Sequence, residues 1–137
     1  MIRMRYHQLI HHMPHVMNGP NVGLEALLDL DGSILEQEGG YWMKIEARRV
    51  PASLQVLHGI RYSLTLHDKY GTRVLGYDNA HAVKVPRKFR FAGQRLPYDH
   101  RHRTSSDQGV PYTFESAHRL LKDFFAEVDR VIKEAQL

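Results

Sequence analysis

No cysteine occurs among the 137 residues. Disulfides, zinc–thiolate sites and a cysteine nucleophile are thereby excluded, and a reducing cytoplasm is the expected setting. Long apolar runs are missing too: none approaches the roughly 20 residues a membrane-spanning helix needs, so no membrane partner is expected. The opening stretch, MIRMRYHQLIHHMPHVMNG, carries arginines but no continuous apolar core of the kind a signal peptide requires. There is no phosphate-binding P-loop, no dinucleotide glycine motif and no G-x-S-x-G elbow. Tryptophan occurs once, and no internal repeat is visible. What remains has the composition of one ordinary globular domain, 42% hydrophobic and 25% charged.

The net charge of +4 conceals an uneven distribution. Between positions 84 and 103 stand seven basic residues (Lys84, Arg87, Lys88, Arg90, Arg95, Arg101 and Arg103) and one acid, Asp99. The rest of the chain is slightly acidic. A stretch of this kind attracts polyanions by phosphate contact and counterion release, although a solvated basic loop has the same composition.

The pattern along the chain predicts an α+β fold: an antiparallel β-meander of about four to five strands with a long C-terminal helix packed on one face. Residues 1–22 read as a weakly ordered, histidine-rich leader, and 23–137 as the single domain. His7, His11, His12 and His15 in the leader have a spacing that can capture a metal, but poor order is the better account. Leu24, Ala26, Leu28 and Leu30 alternate and predict a strand, with Asp31-Gly32 as a hairpin turn. Strands follow over 33–36 and through Tyr41, Met43, Ile45 and Ala47. Ile60, Tyr62, Leu64 and Leu66 give the clearest alternation, returning after a turn at 68–71 as a strand over 72–77. Another short strand is expected near Asp99–Arg103. Ala117, Leu120, Leu121, Phe124, Val128, Val131, Ile132 and Ala135 recur at helical spacing, with Thr113 as the expected cap.

Asp99-His100-Arg101-His102-Arg103 is the most informative string. In an extended chain His100 and His102 share one face, and Arg101 and Arg103 the other. Two neighbouring imidazoles suit RNA cleavage: one takes the 2′-hydroxyl proton and the other protonates the leaving 5′-oxygen. An arginine can hold the phosphate, and Asp99 or Asp78 can orient a histidine. The same residues allow a divalent-metal site; a metal-independent route is the favoured one, with no cofactor. A polar surface strand would also look like this. Tyr77-Asp78-Asn79 lies where a strand runs into the basic segment, a common place for functional residues, yet Asp78-Asn79 can equally be turn formers. Trp42 with Tyr41 could stack on a base, although such a pair more often closes the edge of a core. His58, His67 and His118 are isolated.

In order, GIRYSLTL, VLGYDNAHA, YDHRHR and PYTFESAHRLLKDFFAEVDRVI resemble the TumE-type toxins of toxin–antitoxin modules, from about Leu24 to Ile132. The resemblance implies a toxin of a type II module that inhibits translation by cutting RNA, with a cognate helix-turn-helix antitoxin as partner; a homodimer is allowed. Carried over by position, it points to Tyr77, Asp78, Asn79, Asp99, His100, Arg101 and His102. The chain departs from the shorter members in its leader and in a longer basic insertion between Asn79 and Asp99. The alternative is a non-catalytic nucleic-acid-binding module. In it the histidines are dispensable, and Lys84, Arg87, Lys88 and Arg90 carry the affinity.

Overall fold

A computed structural model describes residues 2–3, 23–53, 56, 58–79, 99–103 and 109–137. A short helix α1 (Leu24–Asp29) precedes β2 (Ser33–Glu36), β3 (Trp42–Arg49), β4 (Ile60–His67) and β5 (Arg73–Asp78). Two short strands follow, β6 (His100–His102) and β7 (Val110–Pro111), and the chain closes with helix α2 (Ala117–Ala135). With β1 (Ile2–Arg3) these form one seven-stranded sheet in the order β1-β2-β3-β4-β5-β6-β7. Every neighbouring pair is antiparallel except β1 with β2. The α+β meander is therefore as the alternation predicts, with more strands. The rest of the leader lies outside the described residues.

The alternation converts directly into two faces. Met43, Ile45 and Ala47 of β3 are buried, as are Ile60, Tyr62, Leu64 and Leu66 of β4 and Leu75 and Tyr77 of β5. The register stacks them in rows, Ile45 opposite Leu64 and Leu64 opposite Tyr77. On α2, Ala117, Leu120, Leu121, Phe124, Phe125, Val128 and Ile132 belong to the same apolar cluster, so the helix covers this face. The opposite face carries Lys44, Glu46 and Arg48, exposed, and Ser63 and Thr65, half-buried. Between Leu66 and His67 the β4–β5 register shifts, so that Leu66 faces Leu75 but His67 faces Arg73.

Two expectations are corrected. Residues 24–29 form not a strand but α1, with Leu30 as its C-cap, and the helix buries Leu24 and Leu27. LEALLDL fits either period over so short a run, and its leucines, alanine and glutamate are good helix formers without a β-branched residue among them. Asp31-Gly32 accordingly joins a helix to a strand. The Asp31 carboxylate accepts from the Ala47 amide at 2.9 Å and the Gly32 amide donates to the Ile45 carbonyl at 2.8 Å, fixing the turn to β3. The start of α1 is set by close approach. Gly23 is left-handed (φ 77°), and a Cβ there would stand 2.7 Å from the backbone of His118.

The second correction concerns the cap of α2. Ser116, not Thr113, is the N-cap, its hydroxyl accepting from the Arg119 amide at 3.0 Å. Residues 112–116 stay out of helix while Phe114 stacks on His58, with ring centroids 3.9 Å apart.

Phe124 touches Tyr77 edge-on at 5.8 Å and lies fully buried between helix and sheet. Phe124→Ala should cost about 3–5 kcal/mol of stability. A urea midpoint within error of the wild type would show that the helix contributes little to the core.

Candidate active site

Three residues of β6 distribute the chemistry to the two faces of the sheet. Gly76 pairs with His102, Tyr77 with Arg101 and Asp78 with His100. Tyr77 faces the helix, so Arg101 does too, and its guanidinium meets Glu127 of α2 at 3.0 Å. His102 therefore stands on the opposite face, where its Nε2 lies 3.3 Å from Asp78 Oδ2. Both side chains are mostly buried, 10% and 16% exposed. A carboxylate so placed fixes the orientation of the imidazole that it contacts, and histidine is the side chain best suited to exchanging protons near neutral pH.

Asp99, one residue before β6, serves a different histidine. Its Oδ2 takes the Nε2–H of His58 at 2.9 Å and the hydroxyl of Tyr62 at 2.7 Å. His58 Nδ1 accepts from the Ile60 amide at 3.2 Å, which leaves Nε2 as the ring nitrogen that faces Asp99. Asp99 also holds the return of the chain, since its carbonyl accepts from the Tyr112 amide at 2.8 Å. Each of the two candidate carboxylates is thus paired with a histidine. Only His102 belongs to the string singled out from sequence.

The remaining candidates are placed as follows. Asn79 is fully buried and spends its amide on β4, with Nδ2 donating to the Ile60 carbonyl at 2.6 Å and Oδ1 accepting from the Tyr62 amide at 3.0 Å. Its own carbonyl accepts from Arg61. Tyr77 is a core residue, edge-on to Tyr112 at 5.1 Å. With Arg101, Tyr112, Asp123, Glu127 and Arg130 it lines a cleft of about 310 Å³ on the helix side. Arg101 Nε is buried there without a hydrogen-bond partner. Arg103 is exposed just past β6. His100 occupies a described backbone position opposite Asp78, but its side chain lies outside the described set, as do Lys84, Arg87, Lys88 and Arg90. Among the described residues no group of three His, Asp or Glu side chains could hold a metal ion, and no helix is long and apolar enough to cross a membrane.

His58 is the residue that sequence reading misses. It lies 41 positions from Asp99, and no local pattern connects them; only the folding of the sheet brings them together. Burial and the Asp99 carboxylate raise the Tyr62 hydroxyl well above its ordinary value. Tyr112 is raised by burial and by its 2.7 Å bond to Asp123. Burial raises Tyr77 as well, against an opposing hydrogen bond from Arg101.

The family described as Toxin TumE has a sequence model that matches residues 37–132. No curated protein and no solved structure matches the chain.

Tyr62 and Tyr77, both buried, and the half-buried Tyr112 set a pH dependence. Their native pKa values lie above the unfolded value of about 10, so the native state retains protons that the unfolded chain releases. This contribution is complete below about pH 10 and is lost as the pH climbs beyond it. Urea midpoints should fall above that pH, and Tyr62→Phe should make the fall shallower. Equal slopes for the two proteins would mean that the Tyr62 hydroxyl ionises as freely folded as unfolded.

Proposed function

The chain belongs to the TumE toxin family, and from that premise we propose that it is an endoribonuclease toxin whose chemistry is carried by His102 and His100. The supporting observation is the His102–Asp78 pair on the face of the sheet away from α2. The pair stands where the chain leaves the sheet after Asn79 and re-enters it at Asp99. The excursion between, 80–98, holds Lys84, Arg87, Lys88, Arg90 and Arg95 and no acid. Whatever its path, it is tethered at both ends beside the histidine. Local positive charge of this kind concentrates RNA at low salt and loses its hold as salt rises.

The cleavage is an internal transesterification. One imidazole takes the proton of the 2′-hydroxyl, whose oxygen attacks the adjacent phosphorus. The bond to the 5′-oxygen breaks as the second imidazole donates a proton to it, leaving a 2′,3′-cyclic phosphate and a 5′-hydroxyl. His102, oriented by Asp78, takes one role. Position 100, two residues away on the same strand, takes the other. Arg101 is held by Glu127 on the helix side, so the grip on phosphate falls to Arg103 and the basic excursion. His58, with both ring nitrogens engaged, is a positioning residue that fixes Asp99 at the root of β6.

End-labelled RNA and purified protein test this directly, with EDTA present and absent. His102→Ala should lower the cleavage rate by about 10²–10⁴-fold, with products ending in cyclic phosphate. Loss of cleavage in EDTA would transfer the chemistry to a metal. Retardation of RNA without cleavage would make the protein a nucleic-acid-binding module. We propose in addition that a helix-turn-helix antitoxin neutralises this toxin through acidic residues set against the basic excursion. The product of the neighbouring gene should co-purify with it at low salt, and its failure to do so would remove that partner.

A further inference from the structure

The face of the sheet that bears His102 carries an aromatic pair which the cleavage chemistry does not use. Trp42 of β3 and His67 of β4 are directly opposite each other. Their rings stack with centroids 4.0 Å apart and planes 8° from parallel. The stack is held from below and from the side. His67 Nε2 bonds Thr65 Oγ1 at 3.0 Å, and His67 Nδ1 bonds the Gly71 carbonyl at 3.2 Å. Both residues are only half-buried, and they lie on the side away from the α2 core. A stacked pair fixed in this way loses little rotational freedom when another flat ring joins it.

Between this stack and His102 the surface is kept low and basic. Thr65 is opposite Gly76, and Gly76 is opposite His102, so Gly76 separates the two. Its backbone is not in the left-handed region, so conformation does not demand glycine there. A Cβ at this position would stand 3.4 Å from Arg73 Cδ and 3.5 Å from an Arg73 guanidinium nitrogen. Arg73, opposite His67 through the register shift, thus lays its guanidinium over Gly76, on the way from the stack to the histidine. Strand spacing and rise put His67 and His102 about 12 Å apart, a gap that a short piece of extended single strand can bridge.

We propose that the Trp42–His67 stack is a base-binding platform which seats a nucleotide flanking the scissile phosphate, with Arg73 contacting the backbone between, so that the protein selects single-stranded RNA. The proposal rests on the ribonuclease reading and adds the substrate class to it. An aromatic platform on a sheet accepts a base only by its face, and bases in a duplex keep their faces stacked on each other. Lys44, Arg48, Arg61 and Arg73 on the same face suit a polyanion, against Glu36, Glu46 and Asp78.

Trp42 is the chain's single tryptophan, so its fluorescence reports on this platform alone. The wild-type protein is titrated with a 2′-O-methyl single-stranded oligonucleotide, which cannot be cleaved, while the anisotropy of a label on the oligonucleotide reports binding. Tryptophan emission should be quenched in parallel with the anisotropy change. Trp42→Ala should bind about five- to a hundredfold more weakly, and Trp42→Phe close to the wild type. The duplex form should bind more weakly and leave the emission unchanged. Binding that does not alter the emission would overturn the platform while leaving the ribonuclease reading in place. Equal quenching by duplex would overturn the single-strand selectivity. Absence of both binding and cleavage would remove the two readings together.

Discussion

The pairing of β6 with β5 is the contact on which the rest of the site depends. It spans only three residues, and it closes an excursion of nearly twenty. Closing a loop of that length costs on the order of a few kcal/mol in chain entropy, more than three strand residues return by themselves. The strand is held instead from its flanks. Asp99 binds His58 and Tyr62 just before it, Arg101 reaches Glu127 in its middle, and the Tyr112 amide holds the Asp99 carbonyl. Without these, the histidine and the aspartate 24 positions before it would have no reason to meet.

That arrangement separates two tasks that the sequence presents as one. Asp99, His100, Arg101, His102 and Arg103 are consecutive, yet strand alternation sends Arg101 to the helix and His102 to the opposite face. A slip of one residue in register would bury His102 against Tyr77 and expel Arg101. The Arg101–Glu127 pair, continued by Arg130, acts as a key for the register. Its orphaned Nε is a cost accepted for that specificity.

Much of the fold is legible in sequence because the alternation on β3 and β4 is long enough to have only one reading. The stripe on α2 is likewise long, though Phe125 also joins the core and Ala135 is exposed. Residues 24–30 are too few to separate a period of 2 from one of 3.6, and there the helix wins. At the site, the neighbourhood of Asp78 and His102 can be suspected from the string alone. The His58–Asp99–Tyr62 cluster cannot, because it is assembled from three separate segments. Nor can the pairing of Trp42 with His67, since the sequence offers Trp42 beside Tyr41 as a base-stacking candidate and only register joins it to His67.

Among the described residues the margins of the sheet are Ile2–Arg3 on one side and Val110–Pro111 on the other. Proline at the outer margin presents no amide hydrogen to a visiting strand. A margin blunted in this way offers little template there for one copy to add itself to the next.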